Sequence, residues 1–438
     1  MTSIPTSATA GSQPEASSAD HTRSLVIVTI LFFMWGLLTS LNDVLIPHLK
    51  AVYTLSYVQA MLVQFCFFGA YFIVSIPAGS LIKRIGYQKG AVTGLLVAAS
   101  GCALFYPAAE SGYGLFLFAF FVLASGITIL QVAANPYVTA LGNPQTASSR
   151  LTLTQAFNSL GTTLGPLFGG ILILSGAVAV VGGTGALSGA DEAASRAAEA
   201  ASVQVPYLIL AGMLAMLAVF FALARLPHIT HEDDAATAGG GDARRSILHH
   251  RNLVLGAIAI FLYVGAEVSI GSFLINYMGE SNIAGLPAAT AAKYVSYYWG
   301  LAMVGRFIGF AVMRYVSPGK VLGFNGAAAM LLILTTILSE GPVAMWSILA
   351  VGLFNSIMFP TIFSMALHRL GRLTGHGSGI LCMAIVGGAI VPFVQGYFAD
   401  LIGIQLSFYV PLACYGFIMY FGIKHTRLYH LLVDSRPA

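Results

Sequence analysis

Twelve long apolar segments divide the chain, at about 25–47, 57–82, 90–108, 112–140, 150–177 and 203–226, then 251–279, 289–315, 320–339, 342–369, 374–402 and 405–424. A hydrocarbon layer roughly 30 Å thick is crossed by about 20 helical residues, so each segment can span it. Inside lipid every backbone N–H and C=O must find a partner within the protein, and an α-helix supplies those partners itself. The expected fold class is therefore all-α, a polytopic membrane protein of twelve transmembrane helices. Composition excludes a soluble alternative: of 438 residues 57% are apolar and only 8% charged, with mean hydropathy +0.84, whereas soluble domains carry about 25% charge.

The segments fall as six, a break, and six. The break runs from His228 to His250 and holds Glu232, Asp233, Asp234, three successive glycines and the pair Arg244 and Arg245, none of which suits lipid. The expected organisation is a disordered tail at 1–24, a six-helix bundle at 25–226, a linker at 227–250, a second bundle at 251–425 and a short tail at 426–438. The first 24 residues lack the basic-then-apolar layout of a signal peptide. Short cytoplasmic loops carry the excess of Lys and Arg. With the N-terminus inside, sixteen basic residues fall on the cytoplasmic side, against Lys50, Arg196 and Lys293 outside and Arg306 within a span. The asymmetry predicts that both termini are cytoplasmic. The net charge of +4 thus reads as orientation rather than as a nucleic-acid footprint. Cys66, Cys102, Cys382 and Cys414 all sit in apolar stretches, where free Cys packs as a small hydrophobe, and no disulfide or metal site is expected.

The two halves repeat one another. GTTLGPLFGG (161–170) aligns with GGAIVPFVQG (387–396), bringing Gly161, Pro166 and Gly170 onto Gly387, Pro392 and Gly396 at an offset of 226. Gly79 and Arg84 meet Gly309 and Arg314 at offset 230, and Phe32 and Gly36 meet Phe261 and Gly265 at offset 229. Parallel repeats of six spans place a site at their interface near mid-membrane.

The runs FFMWGLLTSLNDVLIPHLK (32–50), LQVAANPYVTALG (130–142), LTQAFNSLGTTLGP (153–166), FLYVGAEVSIGSFLINYM (261–278) and NSIMFPTIFSMALHRLG (355–371) together resemble the fucose/glucose–galactose proton-symporter family of the major facilitator superfamily. The resemblance covers about 25–425. The turn GSLIKRIGYQKG (79–90) carries Lys83 where the wider superfamily usually has Asp. The resemblance implies the major facilitator fold in a bacterial inner membrane and a monomeric protein. It also implies import of a small sugar, with the proton as coupling ion and no other cofactor.

A charge at the centre of a spanning helix costs about 2.5–3.5 kcal/mol and is rarely idle. Asp43, Glu267 and Arg306 are such charges. Trp35, Thr39, Asn42 and Ile46 form an i, i+4, i+7, i+11 stripe on span 1, with Asp43 at its edge. The LND triplet at 41–43 resembles the family's proton-binding acid; the alternative is an acid near the membrane boundary balanced by water or Lys50. Burial favours a carboxyl's protonated form and opening to water favours the anion, so such a group can load a proton on one side and release it on the other. One proton crossing 100 mV is worth about 2.3 kcal/mol, which supports roughly a fiftyfold sugar gradient. Where the fucose branch has a second acid on span 4, this chain has Gln131, which cannot titrate. Either Asp43 acts alone or Glu267 takes the second role; an ion pair with Arg306, about 12 Å into span 8, is the competing reading of Glu267.

Sugar hydroxyls both give and take hydrogen bonds, and a pyranose face prefers an aromatic ring. Candidate ligands are Asn42 on span 1, Gln131 and Asn135 on span 4, Gln155 and Asn158 on span 5, Asn276 on span 7, Trp299 on span 8 and Asn355 on span 10. No P-loop, HExxH or nucleophile elbow occurs, so an enzyme is not expected. Proton-driven export of drugs or other amphiphiles, and uncoupled sugar facilitation, remain as alternatives.

Overall fold

The computed structural model describes residues 22–37, 40, 57–169, 204–224, 226–227 and 249–426. Its regular structure is helical, without a β-strand among these residues. The first half contains α1 (Thr22–Leu37), α2 (Tyr57–Ile85), α3 (Tyr87–Ser111), α4 (Tyr113–Ala140), α5 (Ala147–Gly169) and α6 (Gln204–Leu223). The second contains α7 (Arg251–Gly279), α8 (Ala288–Val312), α9 (Pro318–Leu338), α10 (Gly341–Leu367), α11 (Thr374–Ile402) and α12 (Ile404–Lys424). Nine of the described helices are long and apolar enough to cross a membrane, and α1, α5 and α6 complete the set of twelve. The expected linker and tails lie almost wholly outside the described residues.

Several connections are a single residue. Gly86, Gly112 and Gly403 separate α2 from α3, α3 from α4 and α11 from α12, with φ of 83°, 95° and 86°. Only glycine enters that region without strain, so the reversals stay tight and neighbouring helices pack as hairpins.

The matched glycines make the same crossing twice. A Cβ on Gly36 of α1 would overlap the Asn158 carbonyl of α5, and one on Gly161 of α5 would overlap the Phe33 carbonyl of α1. In the second half a Cβ on Gly265 of α7 would run into Val391 of α11, and one on Gly387 of α11 would overlap the Phe261 carbonyl of α7. Without a hydrophobic drive between helices in lipid, close approach through small residues supplies the packing. The alignment seen in sequence thus corresponds to equivalent α1–α5 and α7–α11 contacts.

The halves meet along α2–α11 and α5–α8. A Cβ at Gly79 would stand 2.7 Å from the Gly375 carbonyl, and one at Gly379 would stand 2.6 Å from the Ser75 carbonyl. Ser149 Oγ donates to the Phe310 carbonyl at 2.8 Å, and Ser148 Oγ lies 2.6 Å from Ser364 Oγ. These contacts sit toward the ends of the spans marked by Lys83, Arg84, Arg150, Arg314 and Arg369. Pro136 within α4 has no N–H to give the Val132 carbonyl four residues earlier. Ser378 of α11 donates to that carbonyl instead, at 3.0 Å across the halves.

Candidate functional site

Glu267 is half-buried in α7 and is held from its own helix: Tyr263, one turn earlier, donates its hydroxyl to Oε1 at 2.8 Å. No described residue bonds the second carboxylate oxygen. Behind it runs a buried chain of polar groups. Tyr415 of α12 donates to Asn355 Oδ1 at 2.6 Å, Asn355 of α10 donates from Nδ2 to the Tyr298 hydroxyl at 2.6 Å, and Tyr298 of α8 donates to the Glu267 carbonyl at 3.4 Å. Tyr263, Tyr298, Asn355 and Tyr415 are at most 1% exposed, so Glu267 is the member that reaches open space. One asparagine therefore ties α8, α10 and α12 to the turn that carries the acid.

Arg306 serves a different need. Pro360 interrupts α10, leaving a turn at 356–357 and no N–H for the Ser356 carbonyl. Arg306 Nε donates to that carbonyl at 3.1 Å. No ion pair within 4.0 Å joins Arg306 to Glu267 among the described residues. In the first half the equivalent proline-freed carbonyl of Val132 is met by Ser378 of the other half.

Trp299 shares a stripe of α8 with Met303 and Arg306, at i, i+4 and i+7. Met303 Sδ accepts from Thr163 of α5 at 3.8 Å, so this stripe faces the cleft between the halves. The Trp299 ring also lies over Gly271, where a Cβ would be 3.2 Å from Cζ2. Gly271 is one turn beyond Glu267, which places the acid and the indole side by side along α7.

The first half contributes amides with unused capacity. Asn135 is fully buried, and neither Oδ1 nor Nδ2 has a hydrogen-bond partner among the described residues; Gln131 Oε1, one turn earlier, is likewise unpartnered. Buried polar groups are normally paired, so such atoms mark places where another molecule can bond. Gln155 is 6% exposed on α5. Asn158, half-buried, donates from Nδ2 to the Phe32 carbonyl at 2.9 Å and so ties α5 to α1.

The other candidates divide plainly. Asn276 is exposed, nine residues from Glu267, which is half a turn round the helix from the acid. Asn355 is buried with both ends of its amide engaged. Asn42 and Asp43 lie outside the described residues. Tyr263, Tyr298, Tyr415 and Ser378 escaped the sequence reading; for Tyr263 the i, i+4 spacing to Glu267 was the available signal. A cavity of about 470 Å³ between α7, α11 and α12 is lined by Phe261, Leu262, Ile390, Val394 and Phe398 among others. Its lining offers little hydrogen bonding, and it is separate from this arrangement.

The sequence profile of the Major Facilitator Superfamily matches residues 28–385. The chain belongs to that superfamily, within its fucose and glucose/galactose branch. The transporter is 57% identical to the glucose/galactose transporter of Brucella abortus, over 97% of this chain and 99% of that one. It is 36% identical to the L-fucose-proton symporter of Escherichia coli, over 92% and 94%. A crystal structure of the latter protein in the outward conformation superposes with TM-score 0.85 at 34% identity, covering 92% of this chain and 98% of that one. The relatives are transporters rather than enzymes, and the twelve-helix arrangement of the transporter is that of the superfamily.

Proposed function

We propose that the protein imports a hexose-type sugar, glucose, galactose or an N-acetylhexosamine, together with protons by alternating access. The observation that carries this reading is the half-buried carboxylate of Glu267, one oxygen unclaimed among the described residues, one helical turn from the glycine that seats the Trp299 ring. An acid beside an aromatic face suits a sugar ring, and Gln131 Oε1 and both amide atoms of Asn135 in the opposite half, unpartnered among the described residues, supply further hydroxyl partners. An amphiphile exporter has little use for buried amides. The names of the Brucella and Escherichia relatives support the same substrate class.

In this reading Asp43 and Glu267 carry the protons, while Asn42, Gln131, Asn135, Gln155, Asn158 and Trp299 shape the sugar site. The two bundles, 25–226 and 251–425, rock about it in a bacterial inner membrane with both termini cytoplasmic. The protein works as a monomer and needs no cofactor beyond the proton.

The test is counterflow of labelled glucose, galactose, N-acetylglucosamine and fucose in liposomes of purified protein. Accumulation driven by an acid-outside gradient is expected to collapse with an uncoupler and in Asp43→Asn, with counterflow retained. Gradient-driven extrusion of amphiphilic dyes without sugar counterflow would overturn the reading.

A further inference from the structure

We propose that Asn355, Tyr298, Tyr415 and Tyr263 are positioning residues that present a single carboxylate oxygen of Glu267 to the sugar beside Trp299, and that Asn355 is not itself a sugar ligand. The inference rests on the sugar-transport reading above and adds how its second-half subsite is held.

Three observations carry it. First, the Asn355 amide is committed: Oδ1 accepts from Tyr415 and Nδ2 donates to Tyr298, both at 2.6 Å, in a fully buried setting. Reversing the amide would turn the Tyr298 hydroxyl toward Asn355 and remove its bond to the Glu267 carbonyl, so the direction of the whole chain is consistent only as it stands. A sugar could reach Asn355 only by breaking two short buried bonds. Second, Tyr263 occupies Oε1 of Glu267 and leaves the other oxygen as the acceptor the network exposes. A phenol can give its proton to the anion or take a bond from the acid, so the grip survives either protonation state. Third, the backbone of the same turn is held from α8 through Tyr298, and Gly271 lets the neighbouring Trp299 ring lie against α7 one turn on. The oxygen and the ring are thereby fixed relative to each other, which lowers the ordering cost of binding.

The experiment is a double-mutant cycle read by half-saturation in counterflow. Tyr263→Phe is expected to raise the half-saturation constant for the transported hexose about tenfold, the size of one hydrogen bond to a charged group. The same substitution in Glu267→Gln is expected to change it less than twofold, because a positioning residue acts only through the group it positions. Asn355→Asp and Tyr415→Phe, which keep the side-chain volume, are expected to follow the same pattern. They should also flatten discrimination between the hexose and its single-deoxy analogues. A merely structural role predicts reduced yield and turnover, with equal losses in both backgrounds and deoxy discrimination intact; that result overturns the inference while leaving sugar transport standing. Absence of hexose counterflow in the unmutated protein overturns the transport reading and the inference together.

Discussion

The hydroxyl of Ser378 on α11 donates to the carbonyl of Val132 on α4 at 3.0 Å, the carbonyl that Pro136 leaves without its helical partner. The bond crosses between the halves, so the backbone of the first half is completed by a side chain of the second. Ser378→Ala removes a contact worth about 1 kcal/mol, which corresponds to roughly a fivefold shift in the balance between joined and parted halves at this end. Cysteine labelling near Ser148 and Ser364 is expected to speed up accordingly. In Pro136→Ala, where the N–H returns, Ser378→Ala should have little effect.

Arg306 and Ser356 stand in the corresponding relation within the second half. Arg306→Leu leaves the Ser356 carbonyl orphaned in a low-dielectric interior, a loss of about 1–3 kcal/mol. Pro360→Ala in the same chain restores the missing N–H and is expected to recover part of the melting temperature in detergent. If Arg306 instead owed its importance to charge alone, the proline replacement would recover nothing.

Glycine substitutions should sort by position. Gly36, Gly161 and Gly387 each face a backbone carbonyl across a helix crossing, so replacement by Val forces the helices apart and is expected to abolish monodisperse protein in size-exclusion chromatography. Gly69 and Gly212 have open space where a Cβ would go. Their replacement by Ala is expected to be neutral or slightly stabilising, since Gly in a helix costs about 1 kcal/mol relative to Ala.

His425 closes the end of α12. Its Nδ1 lies 2.8 Å from the Phe421 carbonyl and its Nε2 3.1 Å from Oδ1 of Asn252 at the start of α7. Burial, with Lys424 adding to it, holds the imidazole below its ordinary range. The folded state therefore prefers the neutral ring, and its contribution to stability is present above the unfolded value near 6.5 and is lost as pH falls below it. Melting curves from pH 7.5 to 5 should show the unmutated protein losing more stability than His425→Asn.

Much of this architecture was written in the order of residues. Apolar length located most helix ends to within a few positions, because lipid thickness and a hydrogen-bonded backbone leave few choices, while the expected ends at 47 and 177 lie outside the described residues. The glycines at 36, 161, 265 and 387 aligned in sequence because each lies at a close helix crossing, three against a backbone carbonyl and Gly265 against Val391. The proline positions were visible too, but not what answers them, since Ser378 is 246 residues from Val132 and only folding brings them together. The same holds for Tyr298, Asn355 and Tyr415, whose meeting depends on three helices converging. Asn276 drew attention for its amide alone, although its angular distance from Glu267 was countable beforehand.

The glycine crossings also have a mechanical consequence. Where the backbone of α1 rests on that of α5 at Gly36 and Gly161, and the Phe261 carbonyl of α7 on Gly387 of α11, the distance between the axes is set by main-chain atoms, with only Val391 adding a side chain at the second crossing. Two rods touching at one point can change their angle without changing their separation. Each crossing is thus a pivot: helices can tilt about it without opening a void in the core, and a single larger residue there would turn a pivot into a wedge.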